Sequence, residues 1–431
     1  MVSAITDDFV EFAADGSPYG VDGPLDWDGY GDSRKRAADR TRTDESVVCG
    51  RGTIGGHPVV VVAFEFRFLG GSVGTGTGTR IVDAFTRART AGLPVVSLIA
   101  TGGTRMQEGV LSLRQLQLVA RAAVLSQRAG LPHVAVLRDP TTGGVWASLG
   151  AGADVVLAVR GAQVGFAGRR VRPPAAADDP AYTAESQFAA GHVDELLDET
   201  DLPRRLAEWL GHLAPGSAEP AEVPRALGEP TPAPDGWSAV LRARARARPR
   251  ATAYLDDHFS SRQELRAGRA ADGMLCGFGR RGDRLVAYAA QTGTATTPAG
   301  FRAATRLVRT ADRLRLPVLT LVDTPGAAAG PAEERDGAGP AIAELFATIA
   351  GAATPVTTLV IGEGGSGGAL ALCAQDRIWI APDAYFSVIA PELAAAILKR
   401  DPGDVPTLAG QLRLRPQDLL ELGVVQGIAP H

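Results

Sequence analysis

Apolar positions along the chain follow two alternating patterns. Between about Val47 and Glu195, short β-branched runs alternate with longer stretches of helical periodicity. Pro94–Ala100, His133–Arg138 and Asp154–Val159 read as strands, and Gln107–Arg128 reads as a helix. A second stretch of the same kind runs from about Asp257 to Ile428. Its clearest strands are Leu316–Val322, Val356–Ile361 and Arg377–Ile380. Strands alternating with helices predict α/β domains built on crossovers. Pro215–Pro234 is dense in Pro, Ala, Glu and Gly, which is linker chemistry. Residues 1–45 are polar, rich in Gly and Asp, and weakly periodic. The expected organisation is an N-terminal arm (1–45), an α/β domain (46–213), a linker (214–236) and a second α/β domain (237–431).

The two stretches repeat one another. Leu93–Leu98 resembles Leu316–Leu321, and each run ends in a turn: Ala100-Thr101-Gly102-Gly103 in one, Asp323-Thr324-Pro325-Gly326 in the other. Thr141–Val145 then matches Gly365–Ala369, Ala153–Val156 matches Gln375–Ile378, and Val164–Phe166 matches Tyr385–Ser387. The offsets are 223, 224, 222 and 220 residues, too regular for coincidence. The chain reads as an internal duplication, two copies of one fold in tandem.

The repeated turns carry the candidate chemistry. Each follows a strand and opens a helix, where the first N–H groups have no partner inside the helix and sit at the positive end of its dipole. Glycine lets a ligand approach the backbone there. Two such N–H groups converging from two turns make an oxyanion hole. The first copy offers Gly102 and Gly103 with Gly143 and Gly144; the second offers Gly326 and Ala327 with Gly368 and Ala369. The alternative reading of any one turn is tight packing alone. Four turns at matched positions favour two oxyanion holes, suited to stabilising negative charge that develops on an oxygen.

Composition narrows the partners. The 431 residues are 45% hydrophobic and 21% charged, with a net charge of −4, which suits a globular chain and gives no reason to expect nucleic acid. The longest apolar runs are strand-length, so no membrane span is expected, and Met1–Asp15 lacks the basic start of a signal peptide. Cys49, Cys276 and Cys373 are scattered, as in a reducing compartment, and the cytoplasm is the expected location. The six histidines are isolated, and no cysteine pair has zinc-ribbon spacing, so no metal site is expected.

Weaker motifs remain. Gly74–Arg80 alternates Gly and Thr like a phosphate loop but lacks the Gly-Lys-Ser/Thr ending. Arg242–Arg250 is a basic run, either a solvated helix face or a patch for CoA phosphates or an acidic partner. Ser366 satisfies Gly-x-Ser-x-Gly, but its counterpart is Thr142 and no histidine follows a strand to serve it. Asp139 and Asp323 end strands and read as turn or capping residues.

Ala63–Phe66, Leu69–Ser72, Gly102–Glu108, Asp139–Val145 and Gly165–Val171 resemble the β subunit of bacterial acetyl-CoA carboxylase carboxyltransferase. Phe301-Arg302, Asp323–Ala327, Glu333–Arg335, Ile361–Leu370 and Ser387–Glu392 resemble its α subunit. The resemblance covers roughly residues 45–400 and implies both subunits fused in one chain. It implies two crotonase-like (ClpP/crotonase superfamily) domains and transfer of a carboxyl group from carboxybiotin to the α-carbon of an acyl-CoA. One hole would hold the thioester oxyanion and the other the ureido oxygen of biotin, with biotin itself acting as base. Gly367, Ala328 and Arg169 are the cofactor-binding positions it points to. Its implied partners are a biotin carboxylase, a biotin carboxyl carrier protein and a second copy of the chain, giving a homodimer or dimer-based oligomer.

Three departures stand out. Residues 1–45 contain no cysteine where the family has a four-cysteine zinc ribbon. Ala328-Ala329 stands where the family has Tyr-Pro. Pro173–Asp179 replaces the family's helix start. Two rival readings stay open: a biotin-independent decarboxylase of a malonyl-type thioester, and a non-catalytic scaffold of a carboxylase complex.

Overall fold

The computed structural model describes residues 2–13, 19–176, 179–214, 216–217, 219–266 and 272–431. The chain divides into two compact units, Met1–Ala214 and Pro215–His431.

In unit 1, β1 (Val10–Glu11), β2 (Val47–Ile54), β3 (His57–Phe64), β4 (Val95–Thr101), β5 (His133–Thr142), β6 (Val155–Val159), β7 (Val164–Gly165) and β8 (Glu195–Leu197) form one sheet. Their order is β1-β2-β3-β4-β5-β6-β8, with β7 added beside β5. β1, β2 and β3 pair antiparallel; every other pairing is parallel. β4 is buried along its whole length, as a parallel strand covered on both faces must be. Three helices matter for the site: α1 (Tyr30–Thr41), and the crossovers α2 (Thr75–Ala91) and α3 (Gly109–Arg128).

Residues 1–45 are not a free arm. β1 joins the sheet, and α1 seats a fully buried Tyr30. The helix escaped the hydrophobic pattern because it buries only Tyr30, Gly31 and Ala37 and has no apolar stripe. Met1 and residues 14–18 lie outside the described residues.

Unit 2 repeats the plan with α4 (Gly236–Arg244), β9 (Ser261–Glu264), β10 (Met274–Arg281), β11 (Arg284–Gln291), α5 (Pro298–Leu314), β12 (Val318–Thr324), α6 (Ala338–Gly351), β13 (Val356–Gly365), α7 (Ser366–Leu370), β14 (Ile378–Ile380), β15 (Tyr385–Ser387), α8 (Pro391–Ile397) and β16 (Gly427–Ile428). The sheet order is β16-β14-β13-β12-β11-β10-β9, with β15 beside β13. The first residues of α5, β12, β13 and β14 (298, 318, 356 and 378) each lie 223 beyond those of α2, β4, β5 and β6 (75, 95, 133 and 155). The repeat therefore holds one register from α2 to β6.

The Pro/Ala-rich segment is packed rather than free. Pro215 and Ala218 lie outside the described residues, but Ala221, Ala226 and Ala233 are buried within unit 2. Ala226 N–H donates to Pro430 O (2.7 Å), and Arg225 pairs with Asp257 (2.5 Å). Small side chains suit a coil laid flat on a surface as well as a flexible tether, and composition does not separate the two.

Candidate active site

In unit 1 the first turn leaves β4 at Thr101. Its hydroxyl donates to Gly71 O (2.7 Å) and accepts the Gly103 N–H (3.0 Å). Gly102 N–H donates to Gly70 O (2.8 Å). Val73 N–H donates to Gly103 O and Arg105 N–H to Val73 O, both at 2.9 Å. Thr104 N–H is left with no acceptor among the described residues. The second turn leaves β5 at Thr142. Gly143, at φ 73°, donates to Gly165 O (3.3 Å) and Phe166 O (3.0 Å). A short helix over 144–150 starts at Gly144, whose N–H precedes the first intrahelical bond and finds no acceptor among the described residues. The turns touch: a Cβ on Gly143 would lie 3.1 Å from Gly103 Cα.

Unit 2 builds the same device from different residues. Thr324 Oγ1 donates to Thr294 O (2.9 Å) and accepts the Gly326 N–H (3.1 Å). Thr296 N–H donates to Gly326 O (3.2 Å) and Ala328 N–H to Thr296 O (2.8 Å), so Ala327 N–H is left over. At the second turn Ser366 adopts φ 57°, and Gly367 and Gly368 head α7. A Cβ on Gly368 would collide with Ala327 N, so these two turns also meet.

Four of the residues picked from sequence are therefore supports rather than donors. Gly102, Gly103, Gly143 and Gly326 direct their N–H groups to oxygens of the protein itself. Ala369 is fully buried, out of reach of a ligand at the surface. The equivalent open pairs are Thr104 with Gly144, and Ala327 with Gly367. The sequence match at the second turn is also one residue out. Strand register puts Thr141 opposite Thr101 and Gly364 opposite Thr324, an offset of 223 that aligns Gly143 with Ser366 and Gly144 with Gly367. The Gly-Gly pairs 143–144 and 367–368 had drawn the alignment away from it.

Comparison with known proteins decides the family. Residues 27–194 match the family described as carboxyl transferase domain, and residues 233–431 match acetyl co-enzyme A carboxylase carboxyltransferase-like. The acetyl-coenzyme A carboxylase carboxyl transferase subunits beta/alpha of Salinispora arenicola is 41% identical over 415 residues, 90% of this chain and 73% of that one. The protein of the same name from Saccharopolyspora erythraea is 39% identical over 440 residues, covering 97% and 78%.

This chain belongs to the acyl-CoA carboxylase carboxyl transferase family.

A probable biotin-dependent acyl-coenzyme A carboxylase beta3 subunit of Mycobacterium bovis is a further relative, 35% identical over 93% of this chain and 83% of that one. Among solved structures, the transcarboxylase 12S core with methylmalonyl-coenzyme A and methylmalonic acid bound superposes with a TM-score of 0.77. It is 23% identical, covers 100% of this chain and 86% of that one, and shares the fold. Both halves of this carboxyl transferase are thus crotonase-like α/β units.

Each donor turn is braced by a buried ion cluster, and sequence reasoning found neither. In unit 1, Arg105 is fully buried. It pairs with Glu45 (2.5 Å), approaches Glu108 (3.4 Å), and donates to Tyr30 Oη (3.0 Å) and Ser72 O (2.7 Å). Burial alone would raise the Glu45 pKa; the charge and hydrogen bonds of Arg105 outweigh it and hold the carboxyl below the usual range. Glu108 also accepts the N–H of Thr75 (2.6 Å), so the Gly74–Arg80 helix start already holds a carboxylate of its own.

In unit 2 the acid is central. Buried Asp323 pairs with Arg248 (2.5 Å) and Arg250 (3.3 Å) and accepts the Glu363 N–H (3.2 Å). Arg244 bridges Glu363 (2.8 Å) and Glu392 (2.5 Å). The basic run is therefore largely turned inward. Its signal lay in the pairing of Arg248 and Arg250 with an aspartate at a strand end, 75 and 73 residues away in the chain. Asp139 does serve its turn, accepting Gln163 N–H (2.9 Å).

Of the remaining predicted positions, Arg169 lies near the second turn of unit 1 and Ala328 in the first turn of unit 2. Arg169 is exposed, and Gly168 beside it would place a Cβ 3.5 Å from Thr142 Oγ1. Ala328 is half-buried and offers only its methyl group. Ser366 is exposed, and among the described residues no histidine bonds to it. No group of three or more His, Cys, Asp or Glu side chains among them could hold a metal ion. No helix among them is long and apolar enough to cross a membrane. Residues 177–178 of the divergent Pro173–Asp179 segment lie outside the described residues.

Proposed function

We propose that this chain moves a carboxyl group between biotin on a carrier protein and the α-carbon of an acyl-CoA. The observation that carries the reading is the pair of open backbone donors in each unit, Thr104 with Gly144 and Ala327 with Gly367. In unit 1 the pair would receive the thioester oxygen as negative charge develops on it. Fixed N–H donors aimed at a developing oxyanion typically contribute about 3–4 kcal/mol each to the barrier. In unit 2 the pair would face the ureido oxygen of biotin. Gly367 is exposed, and a Cβ there would meet nothing within 4 Å, so its N–H is accessible to a ligand. Biotin supplies the transferable carboxyl group when bound. Ala328 leaves the Ala327 N–H open to it, and exposed Arg169 would meet the anionic part of the CoA.

We place the enzyme in the cytoplasm, working as a homodimer or dimer-based oligomer with a biotin carboxylase and its carrier. The test uses the reverse direction. Purified protein is given malonyl-CoA with and without biocytin, and loss of the carboxyl group is followed. Biocytin-dependent loss is expected. Equal loss without biocytin would establish the decarboxylase instead, and no turnover with carrier protein and a range of acyl-CoAs would favour a scaffold.

A further inference from the structure

The same groove exists in both units, between α2 and α3 in unit 1 and between α5 and α6 in unit 2. At the 223-residue offset, Arg89 and Arg121 of unit 1 stand where unit 2 has Asp312 and Glu344. The substitution reverses two charges in one cavity.

Unit 2 neutralises its groove internally. Asp312 accepts the N–H groups of Ala353 and Thr354, both at 2.8 Å, and Glu344 pairs with Arg309 (2.9 Å). Unit 1 does not. Its groove encloses about 220 Å³, and its lining includes Val82, Leu118 and Leu125 together with Gln115. Arg89 is half-buried and its Nη1 atom is buried with no hydrogen-bond partner. Arg121 is exposed at the same mouth, and no acidic side chain lines the cavity. A buried guanidinium donor without an acceptor has lost its water and gained nothing in exchange. Two cations beside these apolar side chains therefore present unmet demand for one carboxylate that brings its own hydrocarbon. Arg89 lies about 20 Å along α2 from its start beside the first donor turn, so the groove is separate from the transfer site.

We propose that the α2/α3 groove of unit 1 binds a small amphipathic monocarboxylate, with the carboxylate on Arg89 and Arg121 and the tail along Val82, Leu118 and Leu125. The volume is below the usual range for a drug-sized ligand, which sets the class at a short chain.

Calorimetric titration of the full-length protein with octanoate tests this, with octan-1-ol and acetate as tail-only and head-only probes. Octanoate should bind the wild type more tightly than either probe. Arg89→Asp, which installs the unit 2 residue, should weaken octanoate at least tenfold. Arg121→Gln, at an exposed position that leaves folding intact, should weaken it severalfold. The proposal is overturned if wild type does not bind octanoate, if octan-1-ol or acetate binds as well, or if Arg121→Gln and a folded Arg89→Asp both bind it unchanged.

Discussion

Unit 1 braces its donor turns with one buried arginine among two glutamates and a tyrosine; unit 2 uses one buried aspartate between two arginines. The fold and the threonine hydrogen bonds of the first turn are the same, yet the charge pattern is inverted. A donor turn evidently needs a rigid, fully bonded polar anchor, and either sign of central charge serves. The two anchors differ in redundancy. Loss of Arg105 strands Glu45, whose only other hydrogen bond among the described residues is from the adjacent Ser46 N–H. Loss of Arg248 leaves Asp323 with Arg250 and the Glu363 N–H. Breaking a buried pair from one side costs roughly 3–5 kcal/mol. Arg105→Met should lose about that much in urea denaturation, and Arg248→Met about half. Equal losses would abolish the distinction.

The donors come next in size. Gly144→Pro deletes one N–H and should lower kcat by roughly 10²–10³, the scale of one oxyanion donor. A Cβ at 144 also meets the Leu116 Cδ1 atom, the mobile end of a side chain. Gly144→Ala is therefore the control: it adds the Cβ, keeps the donor and should retain most activity. In unit 2, Gly367→Ala adds a Cβ into open space and should be silent. If both alanine variants fail as badly as proline, the glycines matter for shape rather than for N–H donation.

Much of this was legible in the sequence. Strand positions, the duplication and the four turns follow from periodicity and from glycines after apolar runs. The donor identities were not, because a glycine signals close approach without saying which N–H is left over. Thr104 carries no glycine signal, and only the Thr101 hydroxyl shows that the Gly103 N–H is already occupied. The ion clusters were illegible for another reason. Glu45, Arg105 and Tyr30 are far apart in the chain, and charged residues are assumed to be exposed. Helix α1 was missed because its buried face is one tyrosine and two small residues.

A third contrast concerns protons. His133 begins β5 in unit 1, where unit 2 has Val356. It is buried, bonded to Ser97 (2.9 Å) and edge-on to Phe85, and burial pushes it from 6.5 down to about 4. The unfolded chain then binds the extra proton between these values. Stability contributed by neutral His133 is complete above pH 6.5 and falls as pH drops through that window, by about 2 kcal/mol at pH 5 and about 3 at pH 4. His258 in unit 2 is likewise lowered to about 4, by burial and then by Arg281. His133→Val should lose less stability than wild type between pH 7.5 and pH 5, read from denaturation midpoints. An unchanged slope would mean His133 is not held neutral.

The smallest effect discriminates most finely between the units, because one backbone position should answer to exchange with opposite signs. Gly143 (φ 73°) and Ser366 (φ 57°) occupy the same left-handed corner in the two copies. An L-residue there costs roughly 1–2 kcal/mol. Ser366→Gly relieves that strain but gives the unfolded chain more freedom, so the expected gain is about 0.5–1 kcal/mol. Ser366 is exposed and only its backbone shapes the turn, so its kcat should hold. Gly143→Ser should lose about 2 kcal/mol, since its Cβ would press on Gly103 Cα at 3.1 Å, a backbone contact with little room to yield. Thermal melts of the two variants check both signs. A destabilised Ser366→Gly would mean that the serine side chain supports the corner, and the two turns would then be alike in outline only.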